Sequence, residues 1–273
     1  MRAELLLSGR IDSWLAPAEQ PPLWLFVHVP KTAGSSLASD VAAIVPPYRS
    51  IHIDHTDRSR PGPERFDAAT EAFIQAQESS PARIASGHVQ WRHVARIIAA
   101  VPGVRLFTML REPKARLVSD YLYQRSPMHP LAAEVKARIP DFDAFLELRG
   151  QQNRAARHLA PLRLIEAGDP AAVIAHIRSR FAFIGIQERY ELCFRALTAR
   201  LGKQIWPSAR KRVNEGAGEE RAAVMARLEA PEVQARIAEL NAVDLAIYAE
   251  VTTAWDSIAV PLTERLDAMM AEV

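Results

Sequence analysis

Lys31 opens a run of small and hydroxyl-bearing residues, Thr32, Ala33, Gly34, Ser35 and Ser36, directly after the apolar stretch 23–27 (LWLFV). Leu37 and Val41 then recur at helical spacing. A buried strand, a loop of small residues and a helix start form an anion cradle in combination. Backbone N–H groups converge there, the helix dipole is positive there, and Lys31 adds a full charge. Eighty residues on, "FTMLREPKARLVSDYLYQR" (107–125) repeats the logic with different residues. Arg111 follows an apolar strand, Pro113 suits the first position of a helix, and Ser119 lies about two turns along it. A planar guanidinium plus a hydroxyl can grip a second phosphate. The competing reading is a strand-end arginine paired with Glu112 or Asp120, with Arg116 and Asp120 close by on successive turns. His88, in "ASGHVQW" (85–91), follows a third strand pattern and a small-residue turn. A histidine there can take a proton near neutral pH, since its ordinary pKa is about 6.5. It can equally hold the loop in shape.

These residues need a scaffold that brings three strand ends together. Strand patterns occupy 23–29, 83–86, 104–110 and 181–186. Helical patterns occupy about 35–44, 66–78, 91–100, 113–124, 141–149, 151–159, 170–179, 188–201, 219–229 and 231–255. Strands alternating with helices predict an α/β fold, a parallel sheet with helices on both faces, in a single domain over 1–273. Ligands of such sheets bind at the carboxyl ends of the strands, which is where Lys31, His88 and Arg111 fall. Residues 46–63, with prolines at both ends, read as a surface loop, and 207–218 as another, basic and then glycine-flanked. Residues 1–21 read as a short lead-in.

Composition narrows the function classes. A formal net charge of +2 confines any basic site to a local patch and argues against nucleic acid as a partner. Cys193 is the sole cysteine, which excludes an intramolecular disulfide and fits a reducing compartment. The first 17 residues hold only a three-leucine run, too short for a signal core or a membrane span, so a cytoplasmic location is expected. His52, Asp54 and His55 in "HIDH" come nearest to a metal cluster, but a solvated loop accounts for them better, and no metal is expected.

The motifs also carry a family resemblance. "HVPKTAGSSL" resembles the 5′-phosphosulfate loop of sulfotransferases, in the branch that includes heparan sulfate 2-O-sulfotransferase and its bacterial relatives. "LREPKARLVSDYLY" resembles that branch's 3′-phosphate motif, an arginine followed eight positions later by a serine. "SGHV" is similar to the segment bearing the histidine base, although a first histidine found there is Ser86 here. Weaker likenesses continue at 152–160, 183–197 and 240–250, so the resemblance spans about 22–255. It implies a P-loop-like sheet and 3′-phosphoadenosine 5′-phosphosulfate (PAPS) as sulfuryl donor, leaving adenosine 3′,5′-bisphosphate (PAP). Lys31, Thr32, Ala33, Gly34, Ser35, Ser36, Arg111 and Ser119 would bind that donor. Lys31 would stabilise the leaving oxygen, and His88 would be the general base with His158 as fallback; His28 lies within its strand and His93 on the following helix. With no apolar anchor, the likeness points to a bacterial-type enzyme rather than a Golgi one.

Two rivals share the first loop. A P-loop kinase or NTPase needs G-x-x-x-x-G-K-[ST], whereas here the lysine precedes the loop's lone glycine. The second rival is a catalytically inactive module binding PAP or a polyanion, and the presence of Lys31, Arg111, Ser119 and His88 together argues against it. For the acceptor, a hydroxyl-bearing carbohydrate or other small molecule, the candidate contacts are 46–63, 124–130 (QRSPMHP), Arg154 and Arg157.

Overall fold

A computed structural model of the chain describes residues 2–54, 56–57, 59–207 and 218–271. Its centre is one parallel sheet of five strands: β1 (Trp24–Val27), β2 (Tyr48–Ile51), β3 (Ile84–Gly87), β4 (Arg105–Leu110) and β5 (Phe181–Ile186). Their order across the sheet is β2-β3-β1-β4-β5. All neighbours run parallel, so every carboxyl end opens on one edge. Continuous apolar runs need burial on both faces, and every residue of β1, β3 and β5 is buried.

Helices cover the sheet as the alternation of elements predicts. Two short ones, α1 (Ala3–Leu7) and α2 (Ile11–Leu15), precede it. The crossovers use α3 (Gly34–Ile44) after β1, α4 (Gly62–Ser79) before β3 and α5 (Trp91–Ala100) before β4. Between β4 and β5 lie α6 (Pro113–Arg125), α7 (Ala132–Arg138), α8 (Phe142–Leu146), α9 (Arg154–Leu159), α10 (Leu162–Glu166) and α11 (Pro170–Arg180). The chain continues through α12 (Tyr190–Arg200), α13 (Gly218–Leu228), α14 (Pro231–Leu240) and α15 (Ala242–Ala271). None of the described helices is long and apolar enough to cross a membrane.

Several expectations need correction. Residues 46–63 are no continuous loop: β2 forms the sheet edge, and α4 starts at Gly62 with Pro63 in its first turn. Residues 1–21 do more than lead in, because Ala3, Leu6 and Trp14 are fully buried. The Trp14 indole donates to the Ala182 carbonyl on β5 at 3.0 Å, tying α2 to the sheet. The helix expected over 231–255 is two helices meeting at Asn241, and the second runs on through Pro261. The basic stretch at 207–218 lies almost wholly outside the described residues, as does His55.

A second apolar cluster stands apart from the sheet. Leu117, Val118, Tyr121 and Leu122 of α6 pack there with Val135, Phe142, Phe145, Val224 and Ile237. The back of α6 is thereby fixed, leaving its opposite stripe for the sheet's carboxyl edge.

Candidate active site

Sheet order determines which residues meet. At the carboxyl edge, β3 delivers His88, β1 delivers the Lys31 loop and β4 delivers Arg111, on three adjacent strands. β2 ends beside Gly87: a Cβ there would lie 2.4 Å from the Ile51 carbonyl oxygen, so only glycine lets the two strands close up. That packing brings His52 and Asp54, just past β2, to the same edge on the side of β3 away from Arg111.

The loop between β1 and α3 is sharply folded. Lys31 (φ 70°) and Ala33 (φ 61°) bracket Thr32, and they are two of three non-glycine residues with left-handed φ among those described. Such backbone persists only where its surroundings dictate it, and it gathers at ligand-binding loops. The Thr32 hydroxyl is turned inward and donates to the Val29 carbonyl at 2.9 Å. Its side chain therefore shapes the turn, leaving only the backbone N–H to meet an anion. Ser35 is exposed and Ser36 half-buried in the first turn of α3. The first intrahelical bond runs from Leu37 N–H to the Ala33 carbonyl, so the N–H groups of Gly34, Ser35 and Ser36 precede the helical ladder.

Gly34 has a role the sequence does not announce. A Cβ at this position would lie 2.0 Å from Nε2 of His28. The His28 ring fills that space, stacked on Phe26 at 5.1 Å and 11°, while Phe26 in turn stacks on Phe107 at 5.0 Å. The His88 ring adjoins His28 at 4.1 Å between centroids. An aromatic column thus crosses from β4 through β1 and ends at His88.

Nδ1 of His88 lies 2.9 Å from the His28 carbonyl oxygen. A carbonyl only accepts, so Nδ1 carries the proton and Nε2 is the nitrogen that can take another. His28 cannot compete for it: burial, and next the nearby His88, hold its pKa well below the ordinary value. His158 places Nδ1 against the Val89 carbonyl at 2.9 Å, but burial, and then Arg154, lower its pKa to about 3. So weak a base is unfit as the fallback.

Arg111 is half-buried, and its Nη1 donates to the Lys31 carbonyl at 3.2 Å. Burial lowers its pKa, yet a guanidinium stays charged at neutral pH. Glu188, and more weakly Glu112, oppose that shift, but neither partner of the competing reading forms an ion pair with it. Glu112 caps α6 by accepting from the N–H groups of Lys114 and Ala115 at 3.0 and 2.6 Å. Asp120 pairs with Arg154 at 2.6 Å and approaches Arg116 at 4.0 Å. Burial works against the ionised Asp120, but Arg154 and Arg116 outweigh it and hold its pKa low. Arg116 and Asp120 therefore belong to a buried network rather than to a ligand grip. Arg154, expected at an acceptor pocket, is engaged in the same network, and Arg157 donates to the Gln152 carbonyl at 3.0 Å.

Two features escape sequence reasoning. The Lys31 ammonium sits 3.9 Å from the centroid of Tyr123, on α6 one turn past Ser119. The i, i+4 spacing of Ser119 and Tyr123 is the signal that could have found this, because it places both on the stripe facing the loop. The second is reciprocal capping of α9 and α15. The Asn153 side-chain oxygen accepts from Val243 and Asp244 N–H at 3.0 and 3.1 Å. The Asp244 carboxylate accepts from Ala155 and Ala156 N–H at 2.9 and 2.8 Å. Between this pair and the loop lies a cavity of about 10 Å³, the space of about one water, lined by Thr32, Arg111, Arg116, Asp244 and Tyr248 among others.

No family model and no curated protein matches the chain. The solved structures that align with it include two sulfotransferases. One is the mouse sulfotransferase SULT7A1 complexed with PAP: 18% identity over 85% of this chain and 71% of that one, with a TM-score of 0.38. The other is a sulfotransferase from Alicyclobacillus acidocaldarius: 16% identity over 82% of this chain and 96% of that one, with a TM-score of 0.39.

Proposed function

We propose that the chain transfers a sulfuryl group from PAPS to the hydroxyl of an acceptor, in the manner of the 2-O-sulfotransferase branch that its motifs resemble. One observation carries the reading: Lys31, His88 and Arg111 emerge from three adjacent parallel strands, with the flanking two bonded to carbonyls at either end of the β1 loop. The 5′-phosphosulfate lies in the 31–36 loop against backbone N–H groups and the Lys31 ammonium. Arg111 and Ser119 take the 3′-phosphate. The acceptor approaches from the β2–β3 side, past residues 52–54.

In the transfer, the acceptor oxygen attacks sulfur as its proton passes to Nε2 of His88. The bond from sulfur to the bridging oxygen breaks, and its electron pair stays on the 5′-phosphate of departing PAP. Lys31 stabilises that growing charge, an interaction stronger in the transition state than before it. His88 then loses its proton to solvent. Positioning and charge neutralisation supply the catalysis, as they do in phosphoryl transfer.

Thermal unfolding with candidate ligands, followed by product mass from labelled PAPS and a panel of hydroxyl acceptors, tests this. At a concentration near 100 times its Kd, PAP raises stability by about 2.7 kcal/mol, and ATP with magnesium does far less. Equal stabilisation by both would favour a kinase.

A further inference from the structure

We infer that Tyr123 is a positioning residue that aims the Lys31 ammonium; the inference rests on the sulfuryl-transfer reading above. A lysine is a point charge on a flexible four-carbon stem, so a site that needs its charge in one place must restrict it. Two features here do so. The left-handed backbone of Lys31 fixes where its side chain leaves the loop, and the ring of Tyr123 takes the ammonium on its face at 3.9 Å. The ring itself is well held. The stripe of α6 behind it is packed in the second apolar cluster, and Glu112 caps the start of the helix. In front, the His129 ring meets Tyr123 edge-on at 5.5 Å and 88°, and His129 Nδ1 accepts from Leu131 N–H at 3.2 Å. The segment 124–130 thereby reaches the catalytic loop through Tyr123. Attraction to a ring face uses the quadrupole and leaves an ammonium's N–H groups able to donate to an anion. The phenol hydroxyl has no part in this, so phenylalanine should serve equally well.

The chain has five lysines, which makes the contact directly readable. Reductive methylation with labelled formaldehyde gives each lysine a dimethylammonium resonance and keeps its charge. One resonance should be shifted upfield by the Tyr123 ring, and Lys31→Arg should delete it. Tyr123→Leu should return that resonance to the position of an exposed lysine. In the unmodified enzyme the same change should lower kcat about 3- to 10-fold, with PAP affinity within about twofold of wild type. Tyr123→Phe should restore both. A shift that survives Tyr123→Leu overturns the contact, and unchanged turnover in Tyr123→Leu overturns the positioning role. A wild-type chain that leaves PAPS intact with every acceptor overturns the transfer reading and this role with it, while the shifted resonance, which needs no donor, still reports the contact.

Discussion

Gly34→Ala offers a strict test of how the loop between β1 and α3 is built. The added methyl would meet His28 Nε2 at 2.0 Å, Cδ2 at 2.1 Å and Cε1 at 2.7 Å. Ordinary contact needs roughly 3.4 Å or more, so the ring would have to retreat by about 1.4 Å. It has nowhere to go, with Phe26 stacked behind it and His88 beside it. Overpacking of this kind costs about 1–3 kcal/mol and lies at the upper end where the neighbours are rigid. Better helix propensity returns up to about 1 kcal/mol, so a net loss of about 2 kcal/mol is expected. That lowers Tm by about 4–8 °C for a chain of this size. His28→Ala alone empties the same space and costs about 2 kcal/mol or more. In the double variant the new methyl enters the vacated space, so the two losses should fall short of their sum by about 1.5 kcal/mol or more. Denaturant unfolding of the four proteins measures that coupling. Additivity within about 0.5 kcal/mol would show that the ring does not depend on Gly34, and the packing argument would fail. PAP titrations on the same proteins separate a second role. If His28→Ala restores stability to Gly34→Ala but not affinity, the missing Cβ also serves the phosphate.

His88→Ala should reduce turnover by about 10²-fold or more while PAP affinity and Tm stay near wild type; turnover within threefold of wild type would remove His88 as the base. Arg111 touches the loop as well as facing the expected 3′-phosphate, so Arg111→Ala should be assayed with PAP and with AMP, which lacks that phosphate. Loss of PAP affinity by about 1.5–3 kcal/mol with AMP little changed assigns the 3′-phosphate contact, whereas equal losses make Arg111 a loop support only. Acid should destabilise the fold through His158. Its pKa is near 6.5 when unfolded and about 3 when folded, so the unfolded chain binds the proton first and stability falls as pH drops below about 6. The slope approaches about 1.4 kcal/mol per pH unit from this group, and urea midpoints between pH 6 and 4 should show it less steeply in His158→Gln.

Strands β1 and β5 were legible because their runs carry no polar side chain, and β3 and β4 because small or apolar residues dominate them despite Ser86, Arg105 and Thr108, as burial on both faces demands. β2 was hidden for the opposite reason: Tyr48, Arg49 and Ser50 are half-buried or exposed at the sheet edge, so the strand lacks an apolar signature. The start of α4 was masked by Pro61 and Pro63, which mark a helix's first turn as readily as a loop. Pro261 reads as a stop, yet Ile258, Leu262 and Leu266 are buried around it and carry α15 through. The motifs placed Lys31, His88 and Arg111 on one edge because strand ends in a parallel sheet must share it. They could not reveal what only tertiary packing sets, such as the Thr32 hydroxyl turned inward, Arg154 drawn to Asp120, or the Tyr123 ring under the lysine.

The mutual capping of α9 and α15 also bears on when the site comes into being. Asn153 and Asp244 each satisfy the first turn of the other's helix across some ninety positions of chain. During synthesis α9 therefore emerges with its N–H groups uncapped and waits for the start of α15. At roughly 5–20 residues per second, that interval is on the order of ten seconds. Through it the nascent chain already holds the β1 loop, His88 and Arg111, but not the helix that closes the floor beneath them. The loop residues of the proposed site are made early in translation, and the helix that completes it is among the last.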